Sequence, residues 1–213
     1  MKKYSGILKN IKKMVDNTTY SGIILAAGDG LRFGEKKQFI KLKGKPIWKW
    51  SYDVAKKCLN EVVVVGVDFK GGKTRQESVK IGLEHITGDY VVIFDASRPL
   101  VTEEQVERIK EAALIYSSAS FGITPSDTII NTSNKDKEFE WLKRENLIEL
   151  QVPQAFNSEM LRKAHITDEI NATDDTILFT KKNLCGSQII KGGVNLHKLT
   201  YPEDLKIIKA LCQ

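Results

Sequence analysis

The sequence predicts an α/β chain with a mostly parallel sheet covered by helices on both faces, and three observations predict it. Short apolar runs recur at Ile23-Ile24-Leu25, within Glu61–Val67 and at Tyr90–Phe94, as expected of strands buried on both faces. Segments of helical length, two of them opened by capping-box residues, separate these runs or follow the last of them. The first run passes directly into Ala26-Ala27-Gly28-Asp29-Gly30. In open parallel sheets the ligand site lies at such C-terminal strand ends.

The chain has 213 residues, enough for one sizeable domain with its own core. No apolar run approaches the ~20 residues of a membrane span. The net charge of +6, from 33 basic and 27 acidic residues, suits anionic ligands. The acids are interspersed, so neither a nucleic-acid surface nor a membrane is implied. Cys58, Cys185 and Cys212 are widely spaced and form no Cys-x-x-Cys, which points to a reducing cytoplasm without disulfides or structural zinc. His85, His165 and His197 are isolated and read as surface or packing residues.

Residues 1–20 read as an amphipathic helical extension of the domain at 21–213. Tyr4, Ile7, Leu8, Ile11, Met14 and Val15 share one helical face, and five lysines fill the rest. The expected role is docking on the body or on a partner subunit, rather than targeting. After the first strand, the small residues Ala26, Ala27, Gly28 and Gly30 let a ligand approach backbone N–H groups. Arg32 and Lys37 follow at once, so phosphates can sit there. Neither familiar nucleotide motif is present in this loop: Gly28–Gly34 offers no Gly-Lys-Ser, and Phe33 replaces the third glycine of Gly-x-Gly-x-x-Gly.

A helix is expected from Lys45-Pro46-Ile47 to about Cys58, with proline in its first turn. Thr74 with Glu77 fits a capping box for a helix from Arg75 to about His85, and Thr102 with Gln105 for one reaching Ser117. Ser120–Thr124 is a further strand. Residues 125–152 break the rhythm. Two apolar stretches, Thr128–Ile130 and Glu149–Val152, flank a polar segment, which predicts a protruding β-arm. Its Ile129, Ile130, Trp141, Leu147 and Ile148 need a partner to cover them. Helices near Ser158–His165 and Thr173–Lys182 follow, then short strands at Ser187–Lys191 and Asn195–Lys198. A last helix starts at Pro202, with Thr200 and Glu203 in capping-box spacing.

The matching stretches are Leu25–Arg32, Lys37-Gln38-Phe39, Gly71–Val79, Asp95-Ala96-Ser97-Arg98-Pro99, Asp127-Thr128, Arg144, Pro153–Phe156, Thr173-Asp174-Asp175 and Lys198–Leu205. In this order the chain resembles the 2-C-methyl-D-erythritol 4-phosphate cytidylyltransferase family and its ribitol-5-phosphate relatives, from about residue 21 to the C-terminus. The resemblance implies a Rossmann-like nucleotidyltransferase fold and a homodimer clasped by the arm. It implies that CTP and a polyol phosphate give CDP-polyol and pyrophosphate with Mg²⁺, in isoprenoid precursor biosynthesis.

By motif position Arg32 and Lys37 are the catalytic pair. Ala26, Ala27, Gly28, Gly30, Gly72, Ser78, Asp95 and Ala96 hold the nucleotide. Asp95, Arg98, Thr128, Arg144 and Lys198 hold the acceptor, with Arg144 reaching across the dimer, and Asp95 is the metal candidate. The chemistry agrees. A phosphate monoester has a second pKa of ~6 and needs no base near neutrality, so catalysis should rest on positioning and positive charge.

This chain also departs from the family pattern. Lys36 stands where proline usually precedes the lysine, Lys73 replaces an acid after Gly-Gly, and Val152-Pro153-Gln154 replaces Thr-Pro-Gln. The segment before Gly71 is short, so a helix and an edge strand are expected to be missing. With 2-C-methyl-D-erythritol 4-phosphate as the first choice of acceptor, Val152, which loses a hydroxyl near the expected acceptor phosphate, keeps ribitol 5-phosphate or another small phosphorylated alcohol open. A nucleotide-binding protein without turnover is a competing reading, opposed by the retained Arg32, Lys37, Asp95, Arg144 and Lys198.

Overall fold

A computed structural model describes residues 17–132, 139–166, 172–183 and 185–212. The expected N-terminal helix falls almost wholly on residues 1–16, outside that set, as does the polar tip of the arm at 133–138. The strands are β1 (Tyr20–Leu25), β2 (Lys41–Leu42), β3 (Lys45–Pro46), β4 (Glu61–Val65), β5 (Tyr90–Asp95), β6 (Ser118–Ile123), β7 (Ile129–Asn131), β8 (Glu140–Leu142), β9 (Glu149–Asn157) and β10 (Gln188–Lys191). The helices are α1 (Ile47–Cys58), α2 (Arg75–Glu84), α3 (Glu103–Tyr116), α4 (Ser158–Ala164), α5 (Asp175–Asn183) and α6 (Asp204–Leu211).

Six strands form the central sheet in the order β10-β6-β9-β5-β1-β4. β1 is parallel to β4 and β5, and β10 is parallel to β6. β9 runs antiparallel between β5 and β6 and joins the two parallel blocks. Successive side chains on a strand point to opposite faces, so Ile24 and Ile23 serve different cores. Ile24, Val64, Val92 and Phe94 pack with Ala55 of α1 and with Val106 and Ile109 of α3. Ile23, Val65, Val91 and Ile93 pack with Val79 and Leu83 of α2, Leu161 of α4 and Phe179 of α5. A third cluster sets Leu199 and Ile208 against Leu42 and Ile47, seating the C-terminal segment beside the loop that follows β1.

Helix starts follow their caps. Thr102 and Gln105 form a complete capping box on α3. On α2 the Thr74 hydroxyl accepts from the Glu77 N–H at 3.1 Å, but the Glu77 carboxylate accepts from the Lys73 N–H at 2.6 Å, one residue before the expected partner. The expected Thr200–Glu203 box does not form. Asp204 instead accepts from the N–H groups of Thr200 and Tyr201, both at 2.7 Å, and α6 begins there.

Three further differences concern strands. Glu149–Val152 is not the far side of the arm but the first half of β9, paired with β6. The arm hairpin is the shorter β7–β8 pair, Ile129 opposite Leu142 and Asn131 opposite Glu140. Pro153 falls where the β6–β9 register shifts between Ser120 and Phe121, a place where a missing N–H donor is tolerated. The segment at Asn195–Lys198 is no strand. A 3-10 turn spans Val194–Leu196, closed by Leu196 N–H to the Gly193 carbonyl at 3.1 Å, and the Gln151 side chain donates to that carbonyl (3.3 Å) and accepts the Gly193 N–H (3.1 Å). Beyond β4 the described sheet has no further strand, and Gly66–Thr74 leads directly to α2.

Candidate active site

Two loops of small residues meet at the C-terminal ends of β1 and β4. Gly30 has φ +71°, and a Cβ there would lie 1.8 Å from the Glu35 carbonyl oxygen, so only glycine fits. The Gly30 carbonyl accepts from the N–H groups of Phe33 and Gly34 at 2.8 and 2.9 Å. This tight turn carries Arg32 outward and brings Lys37 back. Buried Gln38 donates from Nε2 to the Gly28 carbonyl at 3.0 Å and anchors the loop. Across from it, a Cβ on Gly71 would lie 2.1 Å from the Ala27 Cβ. The Ser78 hydroxyl accepts from the Gly72 N–H (3.1 Å) and donates to the Thr74 carbonyl (3.0 Å). Ser78 therefore shapes the Gly72 turn as well as lining the space beside it.

The resulting cleft has a volume of about 360 Å³ and brings together Ala26, Ala27, Gly28, Gly30, Arg32, Lys37, Gly72, Ser78, Asp95, Ala96 and Lys198. A second cleft of about 400 Å³ adjoins it through Arg32 and Lys198, and adds Arg98, Gln151, His197 and Tyr201. Thr128 and Arg144 line neither. Both are exposed near the arm, where Arg144 donates from Nη1 to the Ser126 carbonyl at 2.7 Å. Val152, expected near the acceptor phosphate, is 5% exposed within β9 and also lines neither cleft, whereas its neighbour Gln151 lines the second. The register shift beside it accounts for the difference.

One buried carboxylate sits among several cations. Lys198 donates to Asp95 Oδ2 at 2.7 Å, and Arg75 Nε lies 3.7 Å from Oδ1. Burial alone would raise the Asp95 carboxyl, but Lys198, Arg75 and Arg98 outweigh it and hold it well below the usual carboxylate range. Lys37 is lowered as well, but here the shift disfavours the charge: burial, then Lys198 and Arg32, lower its ammonium from the ordinary lysine value. Arg98 is anchored from Nη1 to the Leu196 carbonyl. The Arg32 guanidinium stands 5.9 Å from the Tyr201 ring centroid, within cation–π range. Such a cleft suits a polyanion, since its cations exceed its carboxylates.

Asp95, the metal candidate, lines the first cleft. Among the described residues no three His, Cys, Asp or Glu side chains gather into a cation cage. Sequence reasoning assigned no role to Arg75, Asp175, His165, Gln38 or Gln151. Arg75 and Asp175 lie in two of the recognised motifs, but their contact spans 100 positions and leaves no local signal.

A mostly parallel, doubly covered sheet with a glycine loop and a cationic cleft at its strand ends defines an α/β nucleotidyltransferase. The family model described as IspD, 2-C-methyl-D-erythritol 4-phosphate cytidylyltransferase, matches residues 59–213. The chain belongs to this family. It is 32% identical to the 2-C-methyl-D-erythritol 4-phosphate cytidylyltransferase of Halalkalibacterium halodurans, over 90% of this chain and 96% of the relative. It is 31% identical to that of Aquifex aeolicus, over 90% and 97%. The crystal structure of the Thermus thermophilus 2-C-methyl-D-erythritol 4-phosphate cytidylyltransferase superposes with a TM-score of 0.78 at 28% identity, covering 91% of this chain and 98% of that one.

Proposed function

We propose that this chain transfers a cytidylyl group from CTP to 2-C-methyl-D-erythritol 4-phosphate, releasing pyrophosphate and forming the CDP-polyol, a step of isoprenoid precursor biosynthesis. The observation that carries the reading is the pair of adjoining clefts sharing Arg32 and Lys198, in a chain of this family. The first cleft takes the nucleotide. Backbone groups of Ala26, Ala27 and Gly72 read the base edge, which needs no charged side chain. The second takes the acceptor, with Arg98 and Lys198 facing its phosphate.

The acceptor phosphate is largely ionised near neutrality, so no general base is assigned. The remaining problem is to bring one anion against the α-phosphorus of another. Arg32, Lys37 and Lys198 neutralise that repulsion and the charge that develops on the departing pyrophosphate. Asp95 orients Lys198 through their 2.7 Å hydrogen bond.

Mg²⁺ fits this donor set. It commonly binds through one or two carboxylates plus substrate phosphates, and among the described residues Asp95 Oδ1 has an ionic neighbour at 3.7 Å and no hydrogen-bond donor. Asp95 would hold the ion, which would supply charge neutralisation between phosphate oxygens. We also assign a homodimer through the arm, supported by Trp141 at 71% exposure and by exposed Phe139 and Ile148, with Arg144 serving the partner's site. A cytoplasmic location is supported by three free thiols. No helix among the described residues is long and apolar enough to cross a membrane. Ribitol 5-phosphate loses its particular support, because Val152 lies outside both clefts.

The test is a pyrophosphate-release assay across the four nucleoside triphosphates and a panel of polyol phosphates. The reading expects a signal with CTP and 2-C-methyl-D-erythritol 4-phosphate. Preference for another acceptor, or no turnover with any pair, overturns it.

A further inference from the structure

Behind the nucleotide cleft lies a line of polar and charged side chains. His165, with its side chain 2% exposed, lies with Nε2 at 3.1 Å from Asp175 Oδ1. A carboxylate only accepts, so this nitrogen carries the proton. Asp175, 1% exposed, accepts at Oδ2 from Arg75 Nη1 at 2.5 Å. Arg75 then turns Nε toward Asp95 Oδ1 at 3.7 Å, inside ion-pair range but beyond hydrogen-bond reach. Asp95 gives its other oxygen to Lys198 at 2.7 Å. Five separate segments supply these five residues: the end of α4, the start of α5, the start of α2, the end of β5 and the C-terminal loop.

Arg75 is therefore shared unequally between two carboxylates. A guanidinium left alone beside Asp95 would close into a bidentate pair, its strongest geometry, and would occupy both oxygens. Asp175 prevents this by taking Nη1. The arrangement does not satisfy the arginine best, since its Nη2 is buried with no hydrogen-bond partner among the described residues. Nor does stability alone explain it, because a packed apolar cluster of similar volume often serves as well as a buried ion pair.

We propose that Asp175, braced by His165, is a positioning residue for nucleotidyl transfer: it holds Arg75 back from Asp95, so that the Asp95 carboxylate stays free to orient Lys198 and the bound nucleotide. This rests on the cytidylyltransferase reading above. Asp175 touches no substrate in this scheme and acts only through Arg75.

The experiment compares CTP-dependent pyrophosphate release, per folded enzyme, in Asp175→Asn, Arg75→Met and the double variant. Asp175→Asn keeps the shape and removes the charge. Its kcat should fall roughly 10²-fold, the size of a loss caused by misplacing groups around the reacting atoms, with the KM for CTP changing about 2-fold or less. Adding Asp175→Asn to Arg75→Met should then cause no further loss, because the two act as one unit. His165→Gln loosens the same brace from the other side and carries the same expectation, at smaller size, if Asp175→Asn does not fold. A folded Asp175→Asn enzyme with unchanged kcat, or losses that simply add in the cycle, overturns the positioning role while the parent enzyme remains active. A parent enzyme with no turnover overturns the functional reading, and this inference with it.

Discussion

Lys198 donates to Asp95 at 2.7 Å across 103 positions of sequence. Asp95 ends β5 in the middle of the sheet, and Lys198 lies on the last loop before α6. That loop is tied down at three points. Leu199 N–H donates to the Ser97 carbonyl at 2.8 Å, Asp204 accepts from the N–H groups of Thr200 and Tyr201, and the Leu199 side chain is buried with Ile208. The C-terminal segment thus closes the cleft that the N-terminal strand opens.

Lys37→Ala and Arg32→Ala should each lower turnover far more than stability. Removing one preorganised charge from a transition state costs ~10²–10³ in rate. Neither side chain is in the core: exposed Arg32 should change stability by about 0.5 kcal/mol or less, and truncating half-buried Lys37 removes a charge that burial disfavours. Steady-state kinetics and a melting curve on the same samples check both halves, and near-normal turnover in either variant removes that residue from the catalytic role.

Acid should destabilise the protein through Asp95 and Asp175. Burial alone would raise both carboxyls. Lys198, Arg75 and Arg98 reverse this at Asp95, as Arg75 and His165 do at Asp175, and both lie below the ordinary aspartate value. A carboxyl depressed on folding contributes stability that is fully present above its unfolded pKa of ~3.9 and is lost as pH falls through the folded value. Denaturant melts at stepped pH should show stability falling below about pH 4, with a shallower fall in Asp175→Asn. An identical slope in the variant would contradict the assignment.

The arm predicts activity in trans. Arg144 lines neither cleft of its own chain, and Trp141 beside it is largely exposed. Mixing Arg144→Ala with Lys37→Ala chains should restore part of the activity, because one site of the heterodimer regains both groups. Sedimentation should show a dimer. Lack of recovery despite demonstrated subunit exchange would mean that the site is not shared.

Val152→Thr should lower stability and leave the acceptor KM unchanged. The side chain is buried at the register shift of β9. A hydroxyl left there without a partner costs about 1–3 kcal/mol. A melting curve with acceptor kinetics separates the outcomes, and a lower acceptor KM at unchanged melting temperature would place Val152 at the acceptor after all.

The sequence by itself determined the strands β1, β4 and β5, the starts of α2 and α3, and the loop of small residues after β1. These depend on apolar runs, capping hydroxyls and backbone sterics, which act within a few residues and so leave local patterns. Most of the expected site residues also meet in the clefts, because the segments after β1, β4 and β5 leave the same sheet edge, which Lys198 reaches on the loop before α6. Tertiary structure alone decided that β9 enters the sheet between β5 and β6, taking the second flank of the expected arm, Glu149–Val152, into the sheet and leaving Val152 outside both clefts. It alone decided that Asp175 restrains Arg75 and that Asp204, not Thr200, starts α6. Strand insertion and buried ion pairing depend on which segments the packed sheet brings together. For Arg75 the deciding partner lies 100 positions away, and no periodicity around either residue encodes it.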